Sequence, residues 1–254
     1  MLKSEYIRQW DRLQRRYEAT YTAKFKKALQ EQVKAYIKSN DLMKVPSYPM
    51  YAVLKDLYET VGVAWANRVR LILRQDKARM PMGFNAQIVE LIRQYYGVDL
   101  LNYAEQLTDV SREYIGMILS RAAAEGLSLN ETVSMLVQSN EFGEMRARRI
   151  ARTETTSAAN GAAIQYANTS GNVMVKEWIA VNDARTRHDH RNVDNTVIDI
   201  EAPFTVGGVQ MQKPGDRNQP NGLPVPASEV VNCRCVLGFR AKRDRNGKII
   251  RRQG

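Results

Sequence analysis

Gly171-Asn-Val-Met-Val-Lys-Glu-Trp-Ile-Ala-Val181 is the stretch at which the chain changes its period. Before it, apolar residues return every three to four positions; within it, Val173, Val175, Ile179 and Val181 alternate with Met174, Lys176 and Ala180. A period near 3.6 belongs to helices and a period of 2 to half-buried strands. The sequence therefore predicts an α+β protein: a mainly α-helical N-terminal half followed by a small, loop-rich antiparallel β unit.

Upstream, Tyr6, Trp10, Leu13, Tyr17, Tyr21, Phe25, Ala28, Val33 and Tyr36 form one stripe of a long amphipathic helix. Such an aromatic stripe packs into a core or docks on a partner, and the core is the simpler use. Pro46 and Pro49 are expected to break this helix. A second should run from about Tyr51 to Lys77, with Leu54, Leu57, Tyr58, Val61, Trp65 and Ile72 inward, and stop at Met80-Pro-Met-Gly83. Asn85 is placed to cap a helix that Gly97 closes, Asp99 to open another that Gly126 ends. A shorter helix begins near Asn130, and Glu144 to Asn168 reads as one more. Its Arg146, Arg148, Arg149 and Arg152 either bind phosphate or pair with Glu144 and Glu154 at i,i+4 spacing, pairing being the simpler use.

Downstream, Thr196 to Ile200, Pro203 to Val206 and Val209 to Gln212 read as short strands, with Gly207-Gly208 a hairpin turn. Lys213 to Pro226 holds four of the eight prolines and reads as a loop. A last strand is expected from Val230 to Phe239, placing Cys233, Cys235, Leu237 and Phe239 on one face.

The charge is unevenly spread. Residues 1 to 40 hold ten Lys/Arg against four Asp/Glu, net +6, and residues 240 to 254 hold seven against one, also +6. The chain's net charge is +11, so the middle carries 11 − 12 = −1. Basic ends suit a polyanion or an acidic protein surface; otherwise they are a solvated helix face and a frayed tail. In the tail, Arg240, Lys242, Arg243, Arg245, Lys248, Arg251 and Arg252 are the candidate contacts to nucleic acid or a partner. No basic segment leads into an apolar h-region, and no apolar run is long enough to span a bilayer, which predicts a non-membrane protein of the cytoplasm.

Both histidines and both cysteines of the 254 residues fall within the β unit, as His188, His190, Cys233 and Cys235. Cysteines two positions apart on a strand make a poor disulfide. Thiolate and imidazole suit zinc, and a tetrahedral metal would cross-link a unit with a thin core. The candidate ligands of a structural zinc are Cys233, Cys235 and His190 with His188 or Asp183. In the competing reading the cysteines are small buried core residues and the histidines face water. Arg185 and Arg187 either pin their loop to nearby carboxylates or bind phosphate, and the carboxylates favour pinning.

Five ordered motifs resemble a known family. Ala151-Arg152-Thr-Glu154 with Asn160 resembles an "ARTE…A…N" helix, and Trp178 with Asp183-x-Arg185-x-Arg187-x-x-His190 a "W…DxRxRxxH" segment. Pro203-Phe204 matches a "PF" strand, Pro214-Gly215-Asp216 a "PGD" turn, and Asn232-Cys-Arg-Cys235 an "NCRC" ending. Together they resemble the phage head-morphogenesis domain of the Mu F-like minor head proteins. The resemblance divides the chain into a helical arm or bundle at 1–114, expected to dock on a portal, a head-morphogenesis domain at 115–239 and a basic tail at 240–254. The domain's helices would lie within 115–168 and its β unit within 173–239.

That resemblance implies a minor capsid protein of a tailed phage, bound at the portal vertex inside the head and assembled in the host cytoplasm. Its partners would be the portal protein, with the major capsid or scaffolding protein and packaged double-stranded DNA as further candidates. It also implies that His190, rather than His188, holds the family's histidine position. With no catalytic set apparent, the expected role is non-enzymatic. The alternative is a metal-dependent nuclease or DNA-binding protein built on Asp183, His190, Cys233 and Cys235. A zinc deaminase would need His-x-Glu and Pro-Cys-x-x-Cys signatures, which the sequence lacks.

Overall fold

The computed structural model describes residues 3–73 and 83–252 and contains both expected kinds of structure. The helices are α1 (Lys3–Ser39), α2 (Tyr48–Leu73), α3 (Phe84–Ala124), α4 (Leu129–Gln138), α5 (Glu144–Asn168), α6 (His188–Asn192) and α7 (Ala227–Val230). The strands are β1 (Met174–Ile179), β2 (Val197–Asp199), β3 (Phe204–Val206), β4 (Val209–Met211) and β5 (Val236–Ala241). The expected stop at 80–83 falls almost wholly outside the described residues.

The helices obey the predicted stripes but not all the predicted ends. α1 ends at Ser39, before either proline, because Asn40 turns into positive φ (50°). Pro49 sits in the first turn of α2, where its missing N–H has no helical partner to lose. Gly97 does not divide α3, and Asn85 lies inside it, accepting from Asn67 Nδ2 at 3.0 Å. A helix-interior glycine costs about 1 kcal/mol, which the packing of a 41-residue helix absorbs. Gly126 does stop α3 at φ 66°, with the N–H of Leu127 bonded to Ala122 O at 2.9 Å. The cap of α4 is Ser128, which forms a capping box with Glu131.

Two compact units share these elements: residues 1–16, 58–95 and 152–254, and residues 17–57 and 96–151. A boundary at 114 would fall inside α3; the division runs across the helices, so neither unit is one stretch of sequence. In the unit containing residues 17–57 and 96–151, Tyr21, Phe25, Leu29 and Leu54 are buried, and so is a polar knot. Gln32 Nε2 donates to Thr108 Oγ1 and Ser111 Oγ donates to Gln32 Oε1, each at 2.8 Å. Arg146, also buried there, lies over the Tyr114 ring and donates to Leu107 O, whereas Arg148 makes the expected pair with Glu144.

The other unit contains the β structure, and α5 is its pillar. Residues 153–164 are buried on nearly every face, because Thr, Ser, Ala, Asn and Gly let neighbours approach the helix from all sides. A three-stranded antiparallel sheet in the order β2-β1-β5 sets Trp178 opposite Leu237 and Val175 opposite Asp199. β3 and β4 form a separate hairpin through Gly207 (φ 57°) and Gly208 (φ 82°), as the sequence predicts. The deeply buried face of β1 is Met174, Lys176 and Trp178, so a lysine sits in the core while Val175 is half-buried.

The C-terminal segment is folded. Asp244 to Gly247 makes a turn in which Asp244 Oδ1 accepts from the N–H groups of Asn246 and Lys248, both at 2.9 Å. The returning strand bonds to the chain before β1, through Val173 N–H to Ile250 O at 2.9 Å and Arg252 N–H to Gly171 O at 3.0 Å. The frayed-tail alternative does not hold for residues 240–252, whose backbone satisfies itself in a ladder.

Candidate functional site

Cys233 and Cys235 lie between α7 and β5, not on a strand. The loop turns at Asn232, at φ 59°, a conformation asparagine tolerates better than most residues. The final strand starts only at Val236, so alternation cannot be what aligns the sulfurs. They are brought together by the loop's curl, in which Cys235 N–H points at Cys233 Sγ at 3.5 Å. Both are free thiols, 1% and 3% exposed.

α5 and α1 hold this loop by its backbone. Thr153 Oγ1 accepts from Asn232 N–H at 3.0 Å, Thr156 Oγ1 donates to Cys233 O at 2.7 Å, and Asn160 Nδ2 donates to Cys235 O at 3.2 Å. Asn160 Oδ1 also accepts from Leu237 N–H at 2.8 Å. Positions 153, 156 and 160 share one helical face. From α1, Trp10 Nε1 donates to Arg234 O at 2.7 Å, Gln14 Nε2 to Thr156 Oγ1 at 2.7 Å, and Tyr6 Oη to Leu237 O at 2.5 Å. Gln14 was the unread clue, a polar residue between aromatic core positions.

His190, 2% exposed on α6, faces the two sulfurs. Its Nδ1 is 3.3 Å from Cys235 Sγ and 3.6 Å from Cys233 Sγ, while its Nε2 is 3.1 Å from Glu229 Oε2 on α7. The Trp178 ring stands edge-on to the imidazole, centroids 5.4 Å apart. Burial pushes the imidazole's pKa down, but the hydrogen bond and charge of Cys233 outweigh it and raise the value. The thiols titrate as a pair: the hydrogen bond from Cys235, aided by His190, holds Cys233 well below the usual thiol range, and the hydrogen bond to Cys233, with burial and the charge on Cys233, pushes Cys235 up.

Two predicted ligands are elsewhere. Asp183 is gripped by Arg234, whose Nη1 donates to Oδ2 at 2.7 Å, and those bonds hold its carboxyl well below the usual carboxylate range. A carboxylate with a bidentate arginine is spoken for. His188 has an 85% exposed side chain and meets Asn192 Nδ2 at 3.1 Å. Glu229, by contrast, carries no spacing signal in the sequence.

A family model for phage Mu protein F-like proteins matches residues 113–238, about half of the chain. The chain belongs to that family through this segment. Its members are phage head-morphogenesis proteins. Over 115 residues the Mu F-like chain is 33% identical to an NAD(+)–arginine ADP-ribosyltransferase of Enterococcus faecalis, covering 44% of this chain and 22% of that protein. Over 145 residues it is 26% identical to the uncharacterized protein YqbB of Bacillus subtilis, covering 54% of this chain and 45% of that one. The chain thus spans less than half of either curated relative. No solved structure matches it.

Other motif residues of the Mu F-like segment bind their neighbours in the fold. Glu154, 1% exposed, pairs with Arg217 and accepts from Tyr58 Oη at 2.8 Å. Asp216 accepts from the N–H groups of Gln212 (2.7 Å) and Lys213 (3.1 Å) and pairs with Lys213 Nζ at 2.7 Å. Gly215, at φ 84°, lies so close to α5 that a Cβ would be 3.0 Å from Ser157 Cα. Arg185 lies 3.5 Å from Asp183, the carboxylate pairing expected of it, whereas Arg187 donates to a backbone carbonyl, Val231 O, and so ties α6 to the cysteine loop. Arg152 is half-buried on α5.

All seven basic residues named in the tail are exposed. Lys242 pairs with Asp199, Arg252 with Glu201, and Arg243 donates to Gly247 O.

Proposed function

We propose that this chain is a non-enzymatic minor head protein of a tailed phage, bound at the portal vertex inside the capsid, with its basic C-terminal hairpin touching packaged DNA. Family membership carries the first part of the reading. The hairpin supports the second, because a folded ladder presents Arg240, Arg245, Lys248 and Arg251 outward as a fixed cationic surface rather than a mobile one. Portal protein is the first partner, with major capsid or scaffolding protein and double-stranded DNA as others. No helix among the described residues is long and apolar enough to cross a membrane.

The nuclease alternative loses support, because Asp183 is paired with Arg234 and His188 faces solvent, away from the His190 cluster. The ADP-ribosyl transfer named for the Enterococcus protein belongs to a chain of which this one spans 22%. The test is to express the full chain with its phage's portal protein. Co-purification with the portal oligomer is expected, and separate elution at every salt concentration would overturn the assignment. Cleavage of DNA that depends on divalent metal and on His190 would replace it with the nuclease reading.

A further inference from the structure

We propose that His190 Nδ1, Cys233 Sγ and Cys235 Sγ bind one divalent metal ion, zinc by the chemistry of the donors, as a structural clamp joining α6 to the loop before β5. The three donor atoms lie within 4.8 Å of one another and all three residues are buried. In a tetrahedral zinc site with nitrogen at ~2.05 Å and sulfur at ~2.3 Å, the nitrogen–sulfur edge is about 3.6 Å. The 3.6 Å separation equals that edge and the 3.3 Å one is slightly shorter, a difference that a small side-chain shift closes with the backbone where it stands.

Hydrogen bonding alone accounts for the cluster less well. A ring nitrogen has one lone pair or one proton, so it can satisfy one of the two sulfurs that approach it. The surroundings also fit a metal. Glu229 Oε2, 3.1 Å from Nε2, is placed to accept that nitrogen's N–H, which would leave the Nδ1 lone pair for a metal, the carboxylate–histidine arrangement that orients metal-bound imidazoles. Trp178 Nε1 is buried with no hydrogen-bond partner, and its ring stands edge-on to the His190 imidazole that faces the two thiols. Among the described residues three side chains supply donors, so water or another small ligand would complete the tetrahedron.

Glu229, His190 and Cys235 also have the order of an orienter, a base and a nucleophile. Against that use, the sulfurs are 1% and 3% exposed, and a nucleophile must be reached. The two readings separate in one experiment on the full chain. The expected result is one equivalent of zinc per chain by elemental analysis. Cobalt substitution should give thiolate-to-metal charge transfer with tetrahedral d–d bands, and the thiols should resist iodoacetamide until a strong chelator is added. Cys233→Ser or Cys235→Ser should abolish the charge-transfer bands, while Glu229→Gln keeps them with metal affinity lowered about 10- to 100-fold. If the serine variants fail to fold, chelator titration of the natural chain supplies the same reading. Metal-free protein that binds neither zinc nor cobalt at micromolar concentration overturns the proposal. So does rapid alkylation of a single cysteine that metal does not slow, the signature of a nucleophile.

Discussion

The two segments flanking β5 are held in opposite ways. Asn232 to Cys235, before the strand, is fixed by buried side chains reaching in from α5 and α1: Thr153, Thr156, Asn160, Trp10 and Gln14. Lys242 to Ile250, after it, is fixed chiefly by its own backbone ladder, and its basic side chains are exposed. The first segment spends its neighbours' chemistry on position, so substitutions there should cost stability. The second leaves its side chains to other molecules, so substitutions there should cost binding alone.

Asn160→Ala should break the contrast hardest. It strands Cys235 O and Leu237 N–H in a buried site, and chemical denaturation should show a loss of about 4 kcal/mol. A loss under 1 kcal/mol would mean that β5 holds the loop without α5.

Lys176 tests the buried sheet face beneath both segments. Burial lowers its pKa to about 8, although Lys176 Nζ donates to Gln212 O at 2.8 Å. A depressed folded-state pKa means stability that is present above the unfolded value near 10.4 and lost as pH falls through 8. The natural chain should therefore gain up to about 3 kcal/mol between pH 8 and 10 relative to Lys176→Met. Parallel pH profiles for the two proteins would show that the lysine is solvated.

Gly215→Ala should cost about 2 kcal/mol, from positive φ and the approach of Ser157, and lower the thermal midpoint. Replacing Arg245 and Lys248 together by Glu should change stability by less than about 0.5 kcal/mol while flattening the salt dependence of DNA binding by about two phosphate contacts. An unchanged salt slope would remove the hairpin from the DNA-contact proposal.

Much of the fold was legible because long periodic segments declare themselves. The α1 stripe is largely buried, α5 has its expected ends, and the Gly207-Gly208 hairpin forms where its turn chemistry demands. Errors came where a local signal met a tertiary override. Gly97 was outvoted by the rest of α3, and Lys176 went inward because β1 alternates around Trp178. At the cluster, His190, Cys233 and Cys235 were legible from scarcity alone, although the strand argument that joined the cysteines was wrong. His188 and Asp183 lie apart from the cluster, because nearness in sequence does not say which way a side chain leaves a short helix or loop.

By itself, then, the sequence determined the two periodicities, the hairpin turn, the family motifs and the identity of the scarce residues, all of which depend on local chemistry and spacing. Only the tertiary structure decided that Asp183 serves Arg234, that Glu229 backs His190, that Gln14 braces the cysteine loop and that the basic tail folds onto the chain before β1. Those pairings join residues up to 219 positions apart, and no local pattern encodes which distant partner a buried polar group will find.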